Sequence, residues 1–384
     1  MGLDSITGFL GNLWDYGVPF LVTLSVLVFV HELGHFWVAR RNGVKVEVFS
    51  IGFGTELFGF NDRLGTRWKF SAVPLGGYVK MFGEYDFDEE SPDRPPMTDA
   101  EKAVSFHHKR LGQRAAIVAA GPIANFLFAI AVLALMFMTV GNPHHQAGVG
   151  QVQPGSSAEQ AGFQKGDLIT AIDGEPTPRF EDLRRIVSAH PGQGLSFRLV
   201  RDGAEMTLQA VPKASVRADE DGRTREVGLL GVLPDPARVV YERHNPLSAS
   251  WMAVEKSFGL ATRILQEVGL MVSGSRNAED LGGPLRIAQM SGKMAESGFV
   301  SLVFFMAALS VNLGLINLFP IPVLDGGHLL FYAAEAVRGR PLDARYQEYG
   351  FRFGLILVLL LMIFATWNDL VHLRVFEFIK NFLS

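Results

Sequence analysis

Residues 18–39 form a nearly unbroken apolar run, and inside it stand His31, Glu32 and His35. A run of that length crosses a bilayer as one helix. Ionisable groups in hydrocarbon are costly, and where they persist they face a cavity and serve function. His31 and His35 are four residues apart, so a helix brings both rings to one face, with Glu32 placed to reach a cation-bound water. Neutral imidazole suits zinc; three protein ligands and one open position make a catalytic site, four closed ligands a structural one. The plainer reading, a helix with two solvated surface histidines, is opposed by the apolar residues on both sides.

Hydrophobic residues make up 48% of the 384, yet 19% are charged, and the mean hydropathy is +0.20. That mixture implies membrane spans joined to at least one water-soluble domain. A net charge of -4 with no basic stripe argues against nucleic acid as a partner. Without a single cysteine, disulfides and thiolate metal sites are excluded. No small-residue cleavage site follows the first apolar run, so it reads as a retained span and not a signal peptide.

Four apolar segments stand out, at 17–39, 114–140, 299–322 and 351–367. Arg40, Arg41 and Lys45 follow the first; Lys109, Arg110 and Arg114 precede or open the second; Arg338, Arg340, Arg345 and Arg352 lie between the third and fourth. By the positive-inside rule these sides are cytoplasmic, leaving 141–298 and both termini outside. Residues 66–81 read as a hairpin centred on Gly76-Gly77, apolar enough to be re-entrant if it lines a protein cavity. The acidic, proline-containing stretch 84–101 reads as a surface loop. From 151 to 234 the chain turns soluble, with short strands at 168–172, 195–200 and 206–211 and a helix at 180–189. Further on, Trp251, Val254, Phe258, Ala261, Leu265 and Val268 recur at helical spacing, which predicts an amphipathic helix at the membrane surface.

A zinc site needs a third ligand. Neither the downstream glutamate of thermolysin-type sites nor the third histidine of metzincins follows His35. The best candidate is Asp325, in Asn317-Leu318-Phe319-Pro320-Ile321-Pro322-Val323-Leu324-Asp325-Gly326-Gly327-His328. Two prolines break the third span before it, and the topology brings it to the depth of His31 and His35. The alternatives are an aspartate that caps a helix at the membrane edge, and His328 in its place.

His31-Glu32-Leu33-Gly34-His35 in the first span and the Asn-x-x-Pro-x-Pro-x-Leu-Asp-Gly-Gly run resemble the site-2 protease family of intramembrane zinc metalloproteases, in its bacterial sigma-E-regulating type. Gly121-Pro122-Ile123-Ala124-Asn125-Phe126 and Leu281-Gly282-Gly283-Pro284 are similar to the same family. The segment from Pro154 to Asp173-Gly174 resembles the circularly permuted bacterial PDZ domain. The resemblance implies His31, His35 and Asp325 as Zn2+ ligands, Glu32 as catalytic acid/base, Asn317 as a substrate contact, and a strand edge at Gly76-Gly77 that pairs with substrate. It also implies a PDZ peptide-binding loop at Gly228-Leu229-Leu230-Gly231. The best-known members of this type carry two tandem PDZ domains; this chain has room for one.

The expected fold is a polytopic α-helical membrane protein of about four transmembrane helices, with a re-entrant β-hairpin and one inserted β-rich PDZ domain. Its parts are a membrane core at 1–140 and 299–384, the PDZ domain at 141–234, and an amphipathic helix and loop at 235–298. The expected activity is zinc-dependent cleavage of transmembrane segments of single-span proteins, such as an anti-sigma factor or signal-peptide remnants. The expected place is a bacterial inner membrane, active site toward the cytoplasm and PDZ domain periplasmic. The rival readings are an inactive membrane-anchored PDZ adaptor or chaperone and, further off, a transporter with a broken span. The transporter reading lacks inverted repeats.

Overall fold

The first helix, α1 (Leu3–Arg41), ends where Arg40 and Arg41 meet its C-terminal dipole and Gly43 takes a left-handed turn (φ 70°). In the computed structural model the described residues are 3–84, 97–218, 224–275 and 282–372. Most of the stretch expected as a loop at 84–101, and Leu281, lie outside them. The chain divides into two compact units, Met1–Leu133 with Ser250–Ser384, and Ala134–Ala249.

Strands β1 (Val46–Asn61) and β2 (Arg67–Met81) form an antiparallel sheet. Both fold back on themselves, so Phe49 pairs with Val79 on one side and with Trp68 on the other. Residues 77–81 are therefore an edge: 46–51 lies on one side and, among the described residues, no strand on the other. This corrects the sequence expectation. The turn is at 62–66, where Asp62 Oδ1 accepts from the Leu64 and Thr66 amides, and Gly76-Gly77 sit within β2. The first strand was invisible because Gly52 and Gly54, both at positive φ, break its alternation and bend it. Phe36 of α1, Phe49 and Trp68 pack together, with ring centroids 4.3–5.5 Å apart, and fix the sheet to the end of α1. A short helix, α2 (Asp99–Val104), carries a Thr98/Glu101 capping box. It precedes α3 (Leu111–Thr139), which contains Pro122.

The second unit is β-rich: β3 (Asn142–His145), β4 (Val149–Val152), α4 (Ser157–Gln160), β5 (Leu168–Ile172), β6 (Glu175–Pro176), α5 (Phe180–Ala189), β7 (Leu195–Arg201), β8 (Ala204–Ala210), β9 (Lys213–Ala218), β10 (Thr224–Leu229), β11 (Val232–Pro234) and β12 (Val239–Glu242). The expected strands and helix appear as β5, β7, β8 and α5. Strands run β6-β5-β7-β8 in the main sheet, while β11 pairs with β4, β10 with β9 and β12 with β3. Phe163, Ile169, Ile172, Leu183, Phe197 and Leu199 fill its core. Buried Asp167 takes a bidentate pair from Arg201 at 2.7 and 2.8 Å.

The chain then returns to the first unit through α6 (Pro246–Val272), α7 (Pro284–Glu296), α8 (Phe299–Asn317), α9 (Asp325–Arg338) and α10 (Ala344–His372). The amphipathic expectation corresponds to α6, which buries Ala253, Ser257 and Ala261 and leaves Trp251 and Phe258 exposed. Among the described residues, four helices are long and apolar enough to cross a membrane: within α1, α3, α8 and α10. The third stops at Asn317 and not at 322, because Pro320 and Pro322 lack amide donors and bar helical geometry at the residues before them.

Candidate metal centre

Histidines 31 and 35 lie on one face of α1, and α3 packs against that face closely enough to exclude side chains. A Cβ at Gly34 would lie 2.3 Å from the Ala120 carbonyl oxygen. At Gly121 it would lie 2.2 Å from His35 Nε2 and 2.8 Å from His31 Cε1. These glycines let α3 reach the outer ring nitrogens. His35 Nδ1–H donates to the Ile117 carbonyl at 2.9 Å, so its Nε2 presents a lone pair to the interior.

Asp325 comes from the other side, at the first turn of α9, where a helix N-terminus favours a carboxylate. The chain between α8 and α9 turns tightly, with Ile321 donating to Phe319 and Leu324 to Ile321. Gly326 and Gly327 then lie so near the 318–322 backbone that added Cβ atoms would approach its carbonyl oxygens to 2.3 Å. Arg114 of α3 and Glu335 of α9, both largely buried, pair at 2.6 Å and tie the two helices together.

Three atoms able to ligate a metal thereby converge. His31 Nε2 lies 3.2 Å from His35 Nε2, and Asp325 Oδ2 lies 3.1 and 3.5 Å from them. A tetrahedral zinc site with bonds of about 2.0–2.1 Å has edges of about 3.3 Å. The buried Asp325 Oδ2 also has no hydrogen-bond partner in the protein, as expected of an atom meant for a cation. Two imidazoles and a carboxylate fit Zn2+ and leave one position open. Among the described residues this is the one group of three or more metal-type side chains found together.

The three open into a cavity of about 340 Å³ that Glu32, Gly77, Tyr78, Asn317 and His328 also line. The Val79 backbone reaches the Glu32 carboxylate, and an added Cβ at Gly77 would lie 3.4 Å from Glu32 Cγ. Glu32 therefore stands between the ligands and the free edge of β2. Asn317 is the last residue of α8, at the wall of the same cavity. His328 lines the cavity without joining the ligand group. Gly228, Leu229, Leu230 and Gly231 belong to the second unit. There they line a separate groove of about 540 Å³ with Phe180, Leu183, Arg184 and Val187 of α5.

Two residues were given no role by sequence reasoning, one at the cavity wall and one behind His31. Glu84 follows β2, accepts from the Met81 amide at 3.2 Å, and is pushed up by burial to about 7. Asn125 is wholly buried in α3, 3.1 Å from His31 Nδ1. A buried asparagine in an apolar helix was the available signal.

An HExxH pair on a long apolar helix, met by an aspartate from the start of α9 with Glu32 lining the same cavity, has the donor set of a membrane metallopeptidase. The profile of peptidase family M50 matches residues 19–361, and the chain belongs to that family, the site-2 proteases. It is 44% identical to a protein of Agrobacterium fabrum named a zinc metalloprotease, over 97% of this chain and all of that one. It is 38% identical to metalloprotease MmpA of Caulobacter vibrioides, over 96% of this chain and 98% of that one. To the regulator of sigma-E protease RseP of Escherichia coli it is 34% identical, over 95% of this chain and all of that one. Over 23% of the chain it is similar to the PDZ domain of an SdrC-like protein from Listeria monocytogenes, at 18% identity and a TM-score of 0.18. The protein is thus a zinc metalloprotease with Zn2+ as its cofactor.

Proposed function

We propose that this protease cleaves peptide bonds within or beside transmembrane segments of single-span membrane proteins, with His31, His35 and Asp325 holding zinc and Glu32 moving the proton. The observation that carries this reading is the convergence of those four side chains on one cavity between apolar helices, beside the free edge of β2.

A bound zinc ion supplies Lewis-acid charge to a peptide carbonyl and acidifies water. Glu32 takes the proton of the attacking water and delivers it to the leaving amine. A substrate helix hides its scissile bond in its own hydrogen bonds and must unwind first. Residues 76–78 offer an open strand edge for that extended segment, and Asn317 offers a carboxamide to its backbone. Gly76, at φ 155° with Phe53 packed against it, and Gly77, close against Val28 and Ser50, keep the edge near Glu32. The cation-rich segments that flank the spans argue for an active site toward the cytoplasm of a bacterial inner membrane, with the second unit periplasmic.

The groove beside Gly228-Leu229-Leu230-Gly231 suits a PDZ role, either holding a newly made C-terminus or screening out bulky untrimmed substrates. RseP is named a regulator of sigma-E, so an anti-sigma factor is one candidate substrate; a signal-peptide remnant is another. Deleting 151–234 separates the two PDZ roles: screening requires that full-length substrates then become cleaved. For the activity, Glu32→Gln should keep one zinc per chain and lose turnover of a single-span substrate in liposomes. Undiminished cleavage by that variant refutes the role of Glu32.

A further inference from the structure

Each histidine of the ligand pair has a second ring nitrogen, and the partner of that nitrogen decides whether Nε2 can bind a cation. For His35 the question is closed, because a carbonyl can only accept and Nδ1 must carry the proton. For His31 the partner is the carboxamide of Asn125, 3.1 Å from Nδ1. A carboxamide offers a donor at one end and an acceptor at the other, exchanged by a half-turn of the side chain. With its nitrogen toward His31, Nδ1 accepts, the ring proton sits on Nε2, and that nitrogen has no lone pair for the metal position. With its oxygen toward His31, Nδ1–H donates and Nε2 is free. The half-turn breaks no other bond to the protein, since Asn125 Oδ1 has no partner.

We propose that Asn125 is a positioning residue that fixes the tautomer of His31: in the zinc-loaded enzyme its Oδ1 accepts the Nδ1 proton and holds Nε2 toward the metal. The placement is rigid. Ser310 Oγ of α8 donates to the Asn125 backbone carbonyl at 2.8 Å, in a fully buried contact. Helix α3 thus orients both ligands of α1, His35 through the backbone at Ile117 and His31 through a side chain eight residues on. This inference rests on His31 being a ligand.

The test is metal binding by the full-length protein in detergent, read as zinc affinity by chelator competition and as the visible spectrum of the cobalt(II) form. Asn125→Leu should weaken zinc by roughly 10–100-fold, the effect of losing an outer-shell partner, and alter the cobalt spectrum. Asn125→Asp, which can only accept, should stay near the wild-type affinity and spectrum. Equal affinity in Asn125→Leu and wild type overturns the proposal. So does an Asn125→Asp protein that folds and binds zinc as weakly as Asn125→Leu, and this arm stands even if the leucine variant does not fold. His31→Ala in the same titration separates the two levels: wild-type affinity there removes the ligand assignment, whereas weak binding there with full affinity in Asn125→Leu removes the role of Asn125 alone.

Discussion

Gly121→Ala is the sharpest single perturbation of this site. The new Cβ would lie 2.2 Å from His35 Nε2, 2.5 Å from His35 Cε1 and 2.8 Å from His31 Cε1. Ordinary contact begins near 3.4 Å, so ring and helix must separate by about 1.2 Å, more than half a zinc–nitrogen bond of about 2.0–2.1 Å. The ring cannot retreat and keep its bond to Ile117, because that carbonyl belongs to the same helix as Gly121. Without metal the ring can rotate away, and alanine favours a helix interior by about 1 kcal/mol over glycine. Zinc affinity should therefore fall by at least roughly 100-fold, the upper range for an outer-shell change, while the melting temperature of the zinc-free protein holds or rises. Gly112→Ala, in the same helix but with open space around its Cβ, is the matched control and should leave affinity unchanged. Chelator competition and thermal melting in detergent read both quantities. If Gly121→Ala binds zinc within about threefold of wild type (under 1 kcal/mol), α3 does not hold the rings as described.

Burial raises the Glu84 carboxyl from 4.5 to about 7, so the folded protein retains a proton there that the unfolded chain releases between those values. Stability then declines as pH rises from about 4.5 to 7; Glu84→Gln should flatten that slope and raise melting above pH 7, by about 3 kcal/mol at most, and an unchanged slope in a pH series of melts contradicts this. Buried Asp369 of α10 accepts from the Gly283 and Arg286 amides at 2.9 and 3.0 Å and so caps α7 from another helix. Asp369→Ala strands both donors, should cost about 2 kcal/mol or more, and should speed hydrogen exchange in the first turn of α7; unchanged exchange there refutes the cap.

The four long helices and the strands of the second unit were legible because apolar length and alternation are local properties of the chain. The candidate metal site was half legible: His31 and His35 are set four apart by one helix, but Asp325, which the structure brings beside them, is 290 residues further on and was reached through the prolines and the topology. What stayed hidden depends on contacts between distant segments. Strand β1 pairs on both sides with pieces of β2, and its positive-φ glycines bend it and break the alternation that would mark it. Helix α7 has a weakly apolar sequence and owes its place to contacts such as Gly292 against Tyr16 of α1 and to the Asp369 cap. Asn125 reads as one polar residue in an apolar helix until α1 places His31 beside it.

The two prolines and two glycines around Asp325 solve a geometric problem that one helix cannot. In the proposed site, side chains at i and i+4 of α1 supply two ligands on one face, and a third donor on the same face would lie a further turn away, beyond the first coordination shell. The third ligand must approach from another element, and its charge must be tolerable among apolar helices. Ending α8 at Pro320 and restarting at Asp325 puts the carboxylate on a new helix N-terminus, where exposed amides favour negative charge. Gly326 and Gly327 allow the restart within one tight turn, since a side chain at either would strike the carbonyls of 318–321. Replacing either glycine should therefore displace Asp325 itself. The Pro-x-Pro-x-Leu-Asp-Gly-Gly run reads as the shortest chain path that ends one span and delivers a carboxylate to a pair of histidines on another.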